Sequence, residues 1–165
     1  MRKILAGLIV SGVALTAGAA SALTATGNFN VKITITANCT VSATDMLFAS
    51  TGVIAANVDQ TSVISVICTN TTPYSVGIEA GTNGGGTVTT RKMKGGPSNE
   101  LISYTLFSDA GRTANWGNTL ATGWQTGTGN GSTTPQTYTV YGRVPVQTTP
   151  TPGAYTDAVQ VTITY

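Results

Sequence analysis

The sequence predicts an all-β domain built as an antiparallel sandwich, and three observations carry that expectation. Apolar and polar residues alternate with a period of two through most of the chain, and no long stretch repeats every 3.6 residues. The alternating runs are short and are punctuated by turn-forming stretches, with 20 Gly and 6 Pro in 165 residues. The composition is rich in Thr (32 residues), and only 8% of residues are charged, which argues against helical bundles and coiled coils.

Residues 1–22 read as a signal peptide rather than as part of the fold. Arg2 and Lys3 form a basic start, Ile4 to Ala20 is uncharged and apolar, and Ala20-Ser21-Ala22 offers small residues for cleavage. A membrane anchor fits less well, because the run is short for a span and no stop-transfer charges follow it. Removing 22 of the 165 residues leaves 143, with six basic and six acidic side chains. A neutral chain has no net repulsion between copies, which suits a component that assembles. The formal charge of +2 over all 165 residues is too small for nucleic-acid binding by phosphate neutralisation, and no stable membrane insertion is expected.

Export bears on the two cysteines. An oxidising compartment favours a disulfide between Cys39 and Cys68, whereas a metal or redox pair lacks both a CxxC spacing and any His in the chain. Closing a loop of about 30 residues contributes roughly 3–4 kcal/mol.

The strands are expected in the following order. Between Gly27 and Ile35, Phe29, Val31, Ile33 and Ile35 share one face, and Asn28, Asn30, Lys32 and Thr34 the other. Ser62 to Cys68 is nearly continuous in apolar residues, as a core strand is. Tyr74, Val76 and Ile78 alternate after Pro73, and Thr87 to Met93 reads as an edge strand. Its basic cluster, Arg91, Lys92 and Lys94, reads as solvated. Ile102, Tyr104 and Leu106 share a face, as do Tyr138, Val140, Val144 and Val146 within 137–146. The last strand, 157–165, places Val159, Val161, Ile163 and Tyr165 together. Residues 81–86, 95–97, 126–134 and 148–153 read as turns and loops. Seven such strands suggest an immunoglobulin-like sandwich. A true antibody domain is excluded by the short Cys spacing and by the lack of Trp between the cysteines.

The two ends of the 143-residue chain are its most regular parts. Only Thr36, Ala37 and Asn38 separate the first alternating run from Cys39, with no Gly or Pro to turn the chain back. The run therefore reads as an extension, and an unpaired apolar extension aggregates unless a partner's sheet edge receives it. Burying its four apolar side chains is worth roughly 6–12 kcal/mol, about the cost of ordering the segment at 1–2 kcal/mol per residue. Backbone pairing must supply the surplus, as in strand addition to an open sheet. Head-to-tail exchange of this kind does not close and yields a filament.

The run Gly27 to Ile35 with Cys39-Thr40-Val41 resembles the start of spore coat protein U-type domains, the family that includes subunits of archaic chaperone–usher pili. Leu101 to Ala110 with Arg112-Thr113 and Trp116-Gly117, then Tyr141-Gly142-Arg143, and the ending Gly153 to Tyr165, are similar to that family's motifs. The resemblance implies an incomplete immunoglobulin-like antiparallel β-sandwich completed by a donor strand from another subunit. It implies residues 23–36 as the donor extension, carrying Phe29, Val31, Ile33 and Ile35, and residues 37–165 as the pilin domain. It further implies a groove flanked by the C-terminal strand, which a periplasmic chaperone also holds through Val159, Val161, Ile163 and Tyr165. The same family implies the Cys39–Cys68 disulfide. Its other implied partners are copies of the chain, an outer-membrane usher and a tip adhesin. The destination it implies is a surface pilus serving adhesion and biofilm formation.

Catalysis is not expected. The chain has no His, its six acidic residues form no paired motif, and no Ser lies in a G-x-S-x-G or S-x-x-K setting. No cofactor or metal is expected: Asp109 to Arg112 reads as a turn without calcium-loop ligands, and Gly84 to Gly86 lacks a phosphate-loop context. Trp116 and Trp124 could form a sugar-stacking platform, but packing over the sandwich end is the simpler reading. The competing functions are a secreted coat protein and a monomeric carbohydrate- or surface-binding module.

Overall fold

Alternation becomes a strand only where a neighbouring segment supplies hydrogen bonds, and that requirement shapes the fold. The computed structural model describes residues 21–165. The expected signal peptide, apart from Ser21 and Ala22, lies outside the described residues. Residues 21–34 form no helix or strand, and their side chains are exposed.

Nine strands follow: β1 (Cys39–Ala43), β2 (Val58–Cys68), β3 (Pro73–Ile78), β4 (Arg91–Gly95), β5 (Glu100–Phe107), β6 (Gln125–Thr128), β7 (Gln136–Val144), β8 (Tyr155–Thr156) and β9 (Val161–Thr164). They form a six-stranded sheet in the order β1-β2-β7-β5-β4-β8 and a three-stranded sheet in the order β6-β3-β9, and every pairing is antiparallel. The longest ladder joins β2 to β7, from Val58 opposite Val144 to Val66 opposite Gln136. A single 3₁₀ turn, Leu120–Thr122, is capped at both polar groups: the Thr119 hydroxyl accepts from Thr122 N–H, and the Thr122 hydroxyl accepts from Thr119 N–H.

The core follows from the faces of these strands. Ile64, Val66, Tyr104, Leu106, Val140 and Val144 come from the larger sheet, and Tyr74, Val76 and Ile78 from the smaller. Trp116 is buried in the core rather than exposed as a platform, and its indole N–H donates to Val76 O at 3.0 Å. Tyr138 meets the rings of Tyr74 and Trp116 edge-on at 6.4 and 6.1 Å, and its hydroxyl bonds that of Tyr74 at 2.8 Å. Satisfied hydroxyls let these large rings be buried without orphaned polar atoms.

Several sequence expectations need correction. The 27–35 run is not a strand among the described residues, and β1 was not foreseen. The apolar run in β2 buries only alternate residues, leaving Ile67 at 36% exposure. The stretch 126–134 is not all loop, because β6 pairs with β3 from Pro73 opposite Thr128 to Val76 opposite Gln125. Gly127 serves packing there: a Cβ would sit 2.5 Å from the hydroxyls of Tyr74 and Tyr138. Strand β7 ends at Val144, and Val146, beyond Pro145, is 59% exposed.

Candidate functional site

The sandwich is open along a groove where two stretches of backbone lack a ladder. One cavity of about 640 Å³ has Ala43 to Phe48 along one wall and Tyr155 to Asp157 with Val159 and Val161 along the other. Its floor is apolar, made by Ile64, Ile78, Leu106 and Val140 with Met93 and Tyr104. A second cavity of about 560 Å³ adjoins it, sharing Phe48, Met93 and Tyr155, and continues past Val53, Ile54, Ile102 and Val144.

The first wall belongs to residues 44–57, which connect β1 to β2 without regular structure. Thr44 anchors its start: its hydroxyl accepts from Val63 N–H at 3.0 Å, and its carbonyl accepts from the Ser62 hydroxyl. The Gln60 amide donates to Leu47 O at 2.8 Å, and Ile54 N–H donates to Thr149 Oγ1 at 2.8 Å. Met46 and Phe48 lie against β7 because position 142 is Gly. A Cβ there would stand 2.1 Å from Met46 Sδ and 2.9 Å from Phe48 Cζ. The Phe48 ring also meets Tyr104 edge-on at 6.5 Å.

The opposite wall explains why the C-terminal run is not one strand. The Asp157 carboxylate accepts from Tyr104 Oη at 2.7 Å, Thr82 N–H at 3.0 Å and Asn83 Nδ2 at 3.0 Å. These bonds hold residue 157 to the 81–86 loop and to Tyr104 of β5, between β8, which pairs with β4 in the larger sheet, and β9, which pairs with β3 in the smaller one from Val161. Strand β9 pairs with β3 alone and forms an edge of its sheet, so its other side offers unpaired backbone groups. Burial, reinforced by the bond to Asp157, pushes the Tyr104 phenol well above its ordinary range, keeping it a proton donor.

Arg91 overturns the reading of a solvated basic cluster. It is fully buried, and its guanidinium donates to the carbonyls of Glu79 (2.7 Å), Val88 (2.8 Å), Ile78 (2.8 Å) and Trp116 (2.9 Å). Burial lowers its pKa to about 10, while Tyr104, Asp157 and Glu79 pull the other way. The edge expected at residues 87–93 is instead β4, flanked by β5 and β8. Nothing in the sequence singles out Arg91, because its acceptors come from three separate segments.

Of the site residues expected from sequence, Val159 and Val161 line the groove. Ile163 is half-buried on β9, and Tyr165 is 55% exposed, with its hydroxyl 3.5 Å from Asn38 Oδ1. Phe29, Val31, Ile33 and Ile35 are 86%, 84%, 84% and 73% exposed. Cys39 and Cys68 face each other across β1 and β2 and form a disulfide with an S–S distance of 2.00 Å. Among the described residues no cluster of acidic, His or Cys side chains could hold a metal, and no helix is long and apolar enough to cross a membrane. The connection 44–57 is the part of the site that strand reasoning missed; its signal was the apolar triplet Met46-Leu47-Phe48 outside any alternating run.

Comparison with known proteins places this architecture. Among solved structures, the fold is similar to a chain of the CsuC–CsuE chaperone–tip adhesion subunit pre-assembly complex from archaic chaperone–usher Csu pili of Acinetobacter baumannii. The TM-score is 0.59 at 24% identity, over 80% of this chain and 41% of that one, so the chain spans about two fifths of its neighbour's length. No functionally curated protein matches the chain. The Spore Coat Protein U domain model matches residues 25–162, from before Phe29 into β9. With so much of its length matched, the chain belongs to the Spore Coat Protein U domain family.

Proposed function

We propose that this chain is a non-catalytic structural subunit of a chaperone–usher pilus, and that copies polymerise by donating residues 27–35 into the groove of the next copy. One observation carries the reading: a single chain combines an open apolar groove beside an edge strand with four exposed apolar residues at strand spacing. An edge strand and an apolar slot bind an extended peptide by backbone pairing and alternate side-chain pockets. The family and the fold of the solved neighbour support the same assignment.

In this reading residues 1–22 direct export, 23–36 form the donor extension and 37–165 the receiving domain. A periplasmic chaperone holds the groove wall and β9, through Val159, Val161, Ile163 and Tyr165, until an usher passes the subunit outward. The product is a surface filament serving adhesion and biofilm formation, capped by a tip adhesin. A coat component would share the fold but not the linear, strand-linked product.

Deleting residues 23–35 tests the donor assignment. The truncated chain is expected to fold and to be captured by chaperone but to form no polymer. Ile33→Asp is expected to block assembly by placing a charge in an apolar slot. Unheated samples of the native chain in detergent should run as a ladder that collapses to monomer on boiling. Filaments from the truncated chain, or unchanged polymer from Ile33→Asp, would reject the proposal.

A further inference from the structure

We propose that Lys32 of one copy forms an ion pair with Asp45 of the copy receiving it, and that this pair sets the register of the donated strand. The inference rests on the donor reading above and adds to it the alignment of donor and groove.

The charge pattern leads to the pair. Lys32 is the one charged residue between Leu23 and Asn38, and Asp45 is the one charged residue of the groove wall and connection from Ala43 to Asn57. Both are exposed, and neither has a hydrogen-bond or ion-pair partner among the described residues. Every other acidic side chain is engaged. Asp59 pairs with Arg143 at 2.8 Å and Arg112 at 3.4 Å. Glu79 accepts from Asn118 at 2.6 Å, Glu100 from Thr151 N–H at 2.8 Å and Asp109 from Ala114 N–H at 2.7 Å. Asp157, on the opposite wall, is turned inward to Tyr104. Among the bases, Lys92 donates to Ser103 at 2.7 Å, and Lys94, though unengaged, lines neither cavity.

Geometry points to the same two residues. The donor's apolar face, Phe29 to Ile35, covers about 20 Å when extended at ~3.3 Å per residue, and the wall it lies along runs from Ala43 to Phe48. Lys32 is the midpoint of the first, and Asp45 and Met46 straddle the midpoint of the second. A centred donor therefore brings Lys32 beside Asp45 whichever way it runs. Lys32 lies on the polar face of the alternation, so it points to solvent when its apolar neighbours point into the groove. With the donor paired along this wall, directly opposite residues on one face place their Cβ atoms ~4.5–5.5 Å apart, within reach of an ion pair. A one-residue slip would turn the apolar set outward, and a two-residue slip would carry Lys32 past Asp45.

An exposed pair contributes little affinity, so its role is alignment. The direct test is a full chain carrying both Lys32→Cys and Asp45→Cys, polymerised and oxidised. It is expected to give a ladder that survives boiling in detergent and collapses only with reductant, while a Lys32→Cys, Thr51→Cys chain does not. A charge-reversal series avoids new cysteines. At low salt, Lys32→Asp or Asp45→Lys alone should slow polymer accumulation about fivefold. The double reversal should restore the native rate to within about twofold, and roughly 1 M salt should erase the differences. If the unboiled ladder forms but no 32–45 crosslink appears, or the double reversal fails to rescue, the register is wrong and the donor assignment stands. If the native chain forms no unboiled ladder, both fall together.

Discussion

Replacing Arg91 with Met asks whether a buried charge holds the floor of the groove. The guanidinium reaches four carbonyls in three segments: Ile78 and Glu79 at the end of β3, Val88 in the following loop, and Trp116. No carboxylate bonds it, so these carbonyls are what offset the cost of burying the charge, a cost visible in its lowered pKa. Methionine fills a similar volume but leaves all four acceptors without their donor. Truncating one side of a buried, hydrogen-bonded charge arrangement costs about 3–5 kcal/mol. Arg91→Lys should fall between, since one ammonium cannot span four carbonyls that a planar guanidinium reaches together. The assay is urea unfolding of the 143-residue chain with its disulfide intact. With a slope of about 2 kcal/mol/M, the midpoint should drop by roughly 1.5–2.5 M. Because Ile78 and Met93 lie on the groove floor, polymer yield should fall alongside. A midpoint shift below about 0.5 M for Arg91→Met would show that the carbonyls are satisfied some other way and refute the reasoning.

Removing the disulfide with Cys39→Ala and Cys68→Ala should cost about 3–4 kcal/mol, given a sequence separation of 29, and the same unfolding measurement reads it. Acid should weaken the domain in a defined direction. The Arg143 hydrogen bond holds the Asp59 carboxyl below its ordinary value. The Thr151 hydroxyl does the same for Glu100, and the Ala114 N–H for Asp109. Groups with lowered folded-state pKa values contribute stability above their unfolded values near 4 and lose it as pH falls through the folded ones. Thermal melts should therefore be flat from pH 7 to 5 and drop below pH 4. An unchanged melting temperature at pH 2.5 would contradict this, and Asp59→Asn should blunt the decline.

Much of the strand content was legible because alternation is a local signal: Tyr74, Val76 and Ile78, or Tyr104 and Leu106, declare a buried face wherever they pair. The same signal misleads where pairing is decided elsewhere. Residues 27–35 alternate as regularly as any strand yet have no ladder among the described residues, and 157–160 alternate but are held by Asp157 to a distant loop. Gly127 read as a turn residue and is instead a strand position beneath two tyrosine hydroxyls. Arg91 read as solvated because charge ordinarily is, and nothing local foretells four converging carbonyls.

The amino-acid order alone determined which residues share a face, that two cysteines stood ready to join, and that one short apolar run near the start had no obvious partner. These depend on the two-residue period of extended backbone and on composition, both properties of neighbours in the chain. Tertiary structure decided which runs found hydrogen-bond partners, where the core stayed open, and which charges ended buried or unengaged. Those outcomes depend on segments far apart in sequence meeting in space, and period-two patterning carries no information about which segments meet.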